Sequence, residues 1–215
     1  MTRIAVVDYG AGNLVSVEHA LRAAGADVVR VRDGRAVAAD GLVLPGVGAA
    51  ATAIARITRA GLDETIRDWL TAGRPFLGIC LGMQLLFEWS EEGATPMLGV
   101  LPGRVGRLDA APRLPHTGWN QVTLRAPHPL FDGIGDGRDF YFVHSYAAGV
   151  GAAALAVTEY GSPFASAIGT GATFGVQFHP ERSGTDGLRL LANFVHLAEA
   201  RQPGPGGGPG TPCSG

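Results

Sequence analysis

The sequence contains no lysine, and all 17 of its Lys and Arg residues are arginine. It therefore cannot carry a lysine nucleophile, a lysine Schiff base or a lysine-dependent phosphate loop. Only two cysteines occur, Cys80 and Cys213, which is too few for a disulfide framework and typical of a reducing compartment. No apolar run reaches the roughly 18 residues of a membrane helix, and the first segment turns polar at Asp8, too early for a signal peptide. These features predict a cytoplasmic protein without a membrane partner.

Charge is also scarce. Charged residues make up 17% of the chain, against roughly 25% in an average soluble domain. The formal net charge is -2, so no positive field attracts nucleic acid, and we expect no nucleic-acid partner. Hydrophobic residues make up 46% of 215 residues, and a chain of this length buries roughly 70% of its unfolded surface. The composition therefore predicts one globular domain.

The first half of the chain alternates strand-like and helix-like segments. Hydrophobic patterns predict strands at 3–7, 27–31, 41–44 and 76–79 and helices at 14–24, 50–70 and 81–87, with Gly61 as a weak point in the second helix. Strands that alternate with helices form βαβ units and a largely parallel sheet. We therefore expect an α/β fold.

The second half has a different pattern. Strands are predicted at 105–108, 120–124, 140–143, 153–158, 165–168 and 173–177, with closely spaced turn signals between them. This pattern indicates an added antiparallel portion, followed by an amphipathic helix at 188–198. Residues 203–215 are almost wholly Pro and Gly, which predicts a disordered tail. The expected organisation is one domain at 1–201 and a tail at 202–215.

The sharpest local feature is a glycine-flanked cysteine between a predicted strand and a predicted helix, in Gly78-Ile79-Cys80-Leu81-Gly82. This spacing is typical of a nucleophile elbow, with Cys where many hydrolases carry Ser. A helix start next to the cysteine favours the thiolate. The alternative is a small buried cysteine at a tight turn, and the pentapeptide alone does not decide between them.

A cysteine nucleophile needs a base, and His179 is the strongest candidate among six histidines. It follows the predicted strand at 173–177, and strand ends of an α/β sheet border the site crevice. Glu181, two residues later, is expected to lie on the same side in extended backbone and to orient the imidazole. The alternative is a loop histidine beside a solvated carboxylate. We expect His116 and His144 to lie in aromatic-rich loops.

Acyl transfer also needs donors for an oxyanion. The backbone N–H of Leu81 is one candidate, and the segment Gly46-Val47-Gly48 at another strand end is a second, because glycine permits close backbone approach. A plain turn is the alternative. Gly10-Ala11-Gly12 lacks the third glycine of a dinucleotide site. No local His, Cys, Asp and Glu spacing is typical of zinc, so no metal is expected.

Three segments resemble, in chain order, the signatures of the class I (triad) glutamine amidotransferases: Pro45-Gly46-Val47-Gly48, Gly78-Ile79-Cys80-Leu81-Gly82-Met83-Gln84 and Gly175-Val176-Gln177-Phe178-His179-Pro180-Glu181. Each segment alone is weak, but three in order are highly specific. The resemblance implies a flavodoxin-like α/β fold: a mostly parallel sheet flanked by helices, with the antiparallel addition. It also implies hydrolysis of L-glutamine without a cofactor.

The family's roles are carried over to the matching positions. Cys80 is expected to be the nucleophile, His179 the base and acid, and Glu181 the orienting acid. The resemblance assigns the oxyanion contacts to the backbone of four residues, Gly46, Val47, Gly48 and Leu81. It also implies that Gln84 helps to hold the glutamine.

Further segments look like one branch of that family, the glutaminase subunits of imidazole glycerol phosphate synthases: Asp8-Tyr9-Gly10-Ala11-Gly12-Asn13-Leu14, Pro115-His116-Thr117-Gly118-Trp119-Asn120 and Tyr141-Phe142-Val143-His144-Ser145-Tyr146. By this resemblance His144, Ser145 and Tyr146 border the glutamine site. The implied partner is a (β/α)8-barrel cyclase subunit that forms a heterodimer with the chain. It receives ammonia and makes imidazole glycerol phosphate and aminoimidazole carboxamide ribotide for histidine synthesis.

Two residues depart from the expected pattern, Thr117 in place of Met and Arg182 in place of Lys. Both are expected to affect partner contacts, and at Arg182 the reason is that Arg and Lys differ in hydrogen-bonding geometry. Three other functions stay open at this point: a glutaminase component of another amidotransferase, a stand-alone cysteine hydrolase of γ-glutamyl amides, and an inactive binding scaffold.

Overall fold

The computed structural model describes residues 1–34 and 37–200. The predicted domain boundary at 201–202 and the predicted tail, with Cys213, lie outside the described residues. Within the described part of the chain, no helix is both long and apolar enough to cross a membrane.

The described residues form thirteen β-strands and five α-helices. The strands are β1 (Arg3–Val7), β2 (Asp27–Val31), β3 (Gly41–Gly46), β4 (Phe76–Cys80), β5 (Phe87–Ser90), β6 (Thr95–Pro96), β7 (Leu101–Arg107), β8 (His116–Leu124), β9 (Arg138–His144), β10 (Tyr146–Ala148), β11 (Ala154–Tyr160), β12 (Ser162–Thr170) and β13 (Thr173–Val176). The helices are α1 (Leu14–Ala23), α2 (Ala50–Arg59), α3 (Leu62–Thr71), α4 (Leu81–Gln84) and α5 (Gly184–Ala200).

Nine of the strands form one sheet in the order β2-β1-β3-β4-β13-β12-β11-β8-β9. The strands from β2 to β13 in this order are parallel to their neighbours, and those from β13 to β9 are antiparallel. The expected α/β fold with an antiparallel addition is therefore confirmed. The parallel part holds the strand ends that position the site.

The inner parallel strands β3, β4 and β13 are buried on both faces, as a sheet covered by helices requires, whereas the edge strand β2 is only half-buried. Successive residues of β1 point to opposite faces: Ile4 packs in the same core as α1 and α5, whereas Ala5 packs in the core formed with α2 and α3. β3 is buried along its whole length. Helices thus pack on both faces of the parallel strands, and this packing fixes the positions of the strand ends at the carboxyl edge.

One predicted helix is two helices. The pattern at 50–70 predicts a single helix, but α2 ends at Arg59 and α3 begins at Leu62. Gly61 has a φ of +66°, a left-handed conformation that commonly ends a helix. The apolar spacing continues across the break, so periodicity alone could not detect it.

The predicted helix at 81–87 is also wrong, because α4 ends at Gln84 and β5 begins at Phe87. Leu85 and Leu86 are fully buried, and a short buried apolar run does not distinguish helix from strand. β5 belongs to a second sheet in the order β10-β7-β5-β6. The sequence analysis predicted only part of β7 in this sheet and missed the other three strands.

Candidate active site

The candidate residues meet at the carboxyl edge of the parallel strands. Cys80 is the last residue of β4, and its register partner on β3 is Gly46. On the other side of β4, Val176 of β13 pairs with Ile79, and the chain continues from there to His179. Three parallel neighbours end at one edge, which is where α/β sheets form their sites.

Cys80 occupies an uncommon backbone conformation, with φ 53° and ψ -110°. A non-glycine residue with positive φ costs free energy and is concentrated at functional sites. The flanking residues Gly78 and Gly82 are required for close packing rather than for an unusual backbone conformation. A Cβ on Gly82 would lie 1.8 Å from the Leu44 oxygen, and one on Gly78 would lie 2.6 Å from the Gly82 oxygen. The glycines therefore allow close packing of the elbow, while the strained turn lies at Cys80 itself.

His179 and Glu181 form a buried pair. Nδ1 of His179 lies 2.8 Å from Oε1 of Glu181, and both side chains are almost completely buried. The expected extended backbone at Glu181 is wrong, because 180–182 form a 3-10 turn after the extended His179. The turn still brings the carboxylate onto the ring. In the neutral ring this contact fixes the tautomer, because Nδ1–H donates to the carboxylate.

The environment of His179 favours a protonated ring. Burial alone would lower the pKa of His179, but the hydrogen bonds and negative charges of Cys80 and Glu181 outweigh it and raise the pKa to about 10. Nε2 is buried and makes no well-formed hydrogen bond within the described residues. Because the influence of Cys80 on the pKa of His179 requires the thiol to lie near the ring, Nε2 can exchange a proton with a group that reacts at Cys80.

Gln177 is a further polar contact of the nucleophile. Its side chain is fully buried, and Nε2 donates toward Sγ of Cys80 over 3.6 Å. Its Oε1 accepts from Nε2 of Gln84 at 3.0 Å. Gln177 directly follows β13, and its place in the motif predicts no role for it. The signal that could have found it is a polar amide between the apolar residues Val176 and Phe178, since buried polar groups need partners.

The two predicted oxyanion segments lie on either side of Cys80. Leu81 follows it directly at the start of α4. In the other segment Gly48 has a φ of +88°, and Val47 has a side chain that is 43% exposed. This segment can present N–H groups to the cleft, because its backbone runs past the end of β3.

Tyr9 is a second residue without an earlier role. A Cβ on Gly46 would lie 2.9 Å from its hydroxyl, which is buried and makes no well-formed hydrogen bond within the described part of the chain. Burial and the nearby Cys80 raise the pKa of Tyr9 to about 12, although Arg56 and the Val47 backbone oppose this. The hydroxyl therefore stays neutral beside the oxyanion segment.

A cleft of about 540 Å³ opens above Cys80. It is lined by Val47, Gly48, Ala49, Cys80, Gln84, Glu92, Pro115, Val143, His144, Ser145, Tyr146 and His179. The predicted substrate residues Gln84, His144, Ser145 and Tyr146 all lie on its wall. Gly46, Leu81 and Glu181 lie behind the surface. No site role was predicted for Ala49, Glu92, Pro115 and Val143; of these, Glu92 follows β5 of the second sheet, which was not predicted.

Gln84 is held by the wall opposite the triad. Its Nε2 donates to the carbonyl oxygen of Tyr146 at 2.8 Å, and Nδ1 of His144 lies 2.9 Å from the same oxygen. The predicted loop position of His144 is wrong, because it is the last residue of β9.

Within the described residues no group of three or more His, Cys, Asp and Glu side chains has the geometry of a metal site. The cleft presents a thiol, a charged imidazole and hydrogen-bonding groups.

The chain matches the family model described as glutamine amidotransferase class-I over residues 5–198. A protein named imidazole glycerol phosphate synthase subunit HisH from Symbiobacterium thermophilum is 52% identical over 92% of this chain and 95% of its own length. Proteins of the same name from Moorella thermoacetica and Dehalococcoides mccartyi are 50% and 46% identical, over 92% and 91% of this chain and 96% and 97% of their own lengths.

Solved structures show the same fold at lower identity. A structure titled crystal structure of glutamine amidotransferase aligns with a TM-score of 0.72 and 23% identity, over 91% of this chain and 98% of that chain. The structure of PurLQS from Thermotoga maritima aligns with a TM-score of 0.72 and 20% identity, over 91% and 99% of the two chains. At these identities the likeness concerns the fold alone.

Proposed function

Because the chain belongs to the class-I glutamine amidotransferase family, we propose that it is the glutaminase subunit of an imidazole glycerol phosphate synthase and hydrolyses L-glutamine at Cys80. The observation that carries the proposal is the buried arrangement of Cys80, His179 and Glu181 at one sheet edge. The relatives named as HisH subunits, which this chain matches along almost their whole length, support the choice of synthase.

The first chemical step forms a carbon–sulfur bond. Cys80 Sγ attacks the carboxamide carbon of glutamine, and its proton passes to, or already rests on, Nε2 of His179. The raised pKa of His179 favours the charged ring at this stage. Glu181 stabilises that charge and keeps the ring aligned. The oxygen of the tetrahedral intermediate is stabilised by N–H groups of Leu81 and the Gly46–Gly48 segment.

Collapse of the intermediate releases ammonia. The carbon–nitrogen bond breaks while His179 gives its proton to the leaving nitrogen, and a glutamyl thioester stays on Cys80. Water then attacks the thioester, His179 accepts a proton from it, and the carbon–sulfur bond breaks to release glutamate. Each step uses a group that lines the cleft or lies directly behind its wall.

The partner in this proposal is a (β/α)8 cyclase subunit that receives the ammonia in a cytoplasmic heterodimer. It makes imidazole glycerol phosphate and aminoimidazole carboxamide ribotide for histidine synthesis. Support for a docking face comes from Trp119, whose side chain is 58% exposed. Its ring meets that of Tyr141 edge-on, and the guanidinium of Arg182 lies 4.8 Å from the Tyr141 ring centre. An exposed aromatic next to an arginine is typical of interface centres.

We also propose that the partner sets the oxyanion segment, so that the free subunit is nearly idle. Gly48 has the left-handed φ that allows a peptide next to it to reorient. The Val47 side chain is exposed and leaves room for that movement. Binding of the cyclase and its ligand would then favour the conformation that donates to the oxyanion.

The test is glutamate release by the purified chain alone, with the cyclase subunit, and with that subunit plus its aminoimidazole ligand. We expect a large rise only in the complete mixture. Equal rates with and without the partner would contradict the gated oxyanion segment, and high activity alone would indicate an independent hydrolase. No activity in any mixture would indicate another synthase partner or an inactive scaffold.

The matched control is Cys80→Ala in the same complex. We expect glutamine-dependent turnover to disappear while added ammonium still supports the cyclase. Loss of both activities would instead indicate damage to the fold or to docking.

A further inference from the structure

Two buried histidines face each other across β8 and β9. His116 is the first residue of β8 and pairs in register with His144, the last residue of β9. Nδ1 of His116 lies 3.1 Å from Nε2 of His144, and both side chains are buried. The sequence analysis expected both residues in loops, which is wrong for both. The glutaminase chemistry proposed above uses neither ring as a proton carrier.

The neighbouring groups determine where each ring carries its proton. The carbonyl oxygen of Tyr146 only accepts, so Nδ1 of His144 at 2.9 Å must donate to it. A neutral His144 then has a bare Nε2, which accepts from Nδ1–H of His116. The bare Nε2 of His116 accepts in turn from Nδ2 of Asn120 at 3.2 Å. Both rings thus carry their proton on Nδ1.

The surroundings keep both rings uncharged. Burial lowers the pKa of His116 to about 4, and its ring is stacked between those of Phe142 and Tyr160. Burial lowers the pKa of His144 to about 3. The nearby rings of His116 and His179 lower it further, whereas the hydrogen bond to the Tyr146 carbonyl raises it. No carboxylate is hydrogen-bonded to either ring among the described residues.

The same carbonyl connects the rings to the nucleophile. The Tyr146 oxygen also accepts from Nε2 of Gln84 at 2.8 Å. The second hydrogen of that amide goes to Oε1 of Gln177 at 3.0 Å, and Nε2 of Gln177 donates toward Sγ of Cys80. Every donor along this path has an acceptor, so the orientation of each amide is determined by its neighbour.

We propose that this continuous buried chain of polar groups, from Asn120 on β8 through the two histidines, the Tyr146 carbonyl and the two glutamines to Cys80, positions the nucleophile and the glutamine-binding wall. His116 and His144 are positioning residues in it, and each must hold its proton on Nδ1. The inference deepens the proposed glutaminase function and rests on it for its catalytic consequence. It begins on the strand that carries the exposed Trp119.

A reversed tautomer of His116 would interrupt the hydrogen-bonded path from Asn120 to Cys80. If His116 carried its proton on Nε2, that N–H would face the Asn120 amide, and two donors would oppose each other. Nδ1 would then be bare and would face the bare Nε2 of His144. The chain therefore has only one fully satisfied arrangement when both rings are neutral.

The direct test is ¹⁵N NMR of the full chain labelled at histidine, with long-range ring correlations assigned through His116→Phe and His144→Asn. We expect the Nδ1–H tautomer for both His116 and His144 across pH 6 to 8, although free histidine favours Nε2–H. This measurement needs no glutaminase activity, so it stands apart from the proposed function. An Nε2–H signal or a charged ring at either residue would overturn the inference.

The functional test compares two variants of His116 in the complex with the cyclase. His116→Phe keeps the stacking but removes the donor, whereas in His116→Asn the amide N–H can replace Nδ1–H. We expect His116→Phe to raise the KM for glutamine roughly fivefold, as for the loss of one hydrogen bond, and to lower kcat by a smaller factor. His116→Asn should restore KM to within about twofold of the parent.

Cys80 reactivity gives a readout that does not need the partner. In a Cys213→Ser background, which leaves Cys80 as the sole thiol, we expect His116→Phe to change the rate of iodoacetamide alkylation by at least twofold. His116→Asn should leave the rate unchanged. Equal effects of the two variants on alkylation and on KM would contradict a positioning role and indicate simple packing.

Discussion

Three buried histidines of this protein differ in protonation although they are almost equally inaccessible. His179 is 4% exposed and has its pKa raised to about 10, whereas His116 and His144 are 3% and 7% exposed and have theirs lowered to about 4 and about 3. The difference lies in their partners. His179 interacts with the Glu181 carboxylate and the Cys80 thiol. Among the described residues, the rings of His116 and His144 form hydrogen bonds only with each other, with an amide and with a carbonyl.

The comparison shows that burial alone does not decide whether a histidine is charged. Removing water penalises the charged ring in all three cases, and only a nearby negative charge reverses that penalty. The cleft therefore has one ring that carries protons, beside the nucleophile, and one neutral ring, His144, on its wall. An uncharged His144 suits this cleft, because a second charged ring near His179 would disfavour the charged form of His179.

The strongest way to break the contrast is Glu181→Gln, which removes the carboxylate from His179. We expect the pKa of His179 to fall, because burial is then opposed by Cys80 alone. The amide also permits the wrong ring tautomer, so kcat should fall about 10³- to 10⁴-fold, as when a triad acid is neutralised. Steady-state glutaminase kinetics of the complex and histidine ¹⁵N NMR measure the two effects. A fall of less than tenfold would show that Cys80 alone keeps the ring active.

The contrast also predicts opposite effects of pH on stability. Between about pH 3 and 6.5 the unfolded His144 binds a proton that the folded one does not, so the free energy of unfolding falls as pH falls. At pH 5 this loss is about 2 kcal/mol. The contribution of His179 is complete below about pH 6.5 and is lost as pH rises toward 10.

Urea unfolding at pH 7 and pH 5 measures the acid side of this prediction. The control is His144→Asn, which keeps a donor toward Tyr146 but cannot titrate. We expect the variant to lose about 2 kcal/mol less than the parent between the two pH values. An identical loss in both proteins would mean that His144 titrates normally in the folded state.

Asn120→Asp tests the comparison from the other side, because it places a carboxylate next to the neutral pair of His116 and His144. The new charge would lie where the Asn120 amide now meets Nε2 of His116. We expect the pKa of His116 to rise and its Nε2 to become protonated. Because this proton disrupts the order of donors and acceptors along the hydrogen-bonded path to Cys80, the KM for glutamine should rise roughly tenfold. Asn120→Ala is the matched control, since it removes the donor without adding charge. NMR should show the Nδ1–H tautomer in Asn120→Ala and its loss in Asn120→Asp.

The sequence predicts the proton-carrying region better than the neutral one. Cys80, His179 and Glu181 are detectable because local spacing places them at strand ends, and register on β4 then brings them together. His116 and His144 are 28 residues apart in the sequence and come together only because β8 pairs with β9, which no local pattern encodes.

The same distinction explains the errors in the fold. The parallel strands and α5 were predicted because their periodicity is local. The second sheet was missed because β5 is only four residues long, contains Glu88 and Ser90, and has partners, β6 and β7, that are set by tertiary pairing. The direction of the hydrogen-bonded chain depends on which atoms face each other, so it too required the structure.

The smallest expected effect concerns a third kind of buried titratable group, the neutral hydroxyl of Tyr9. It lies beside Gly46, and its contact with the Val47 backbone is not a well-formed hydrogen bond, so Tyr9→Phe removes only a weak interaction from the resting protein. We expect the free energy of unfolding to change by less than about 1 kcal/mol. If the hydroxyl receives or gives a hydrogen bond once the oxyanion segment reorients, kcat of the complex should fall roughly threefold with KM unchanged. Urea unfolding and glutaminase kinetics separate the two, and an unchanged kcat would limit Tyr9 to packing against the segment.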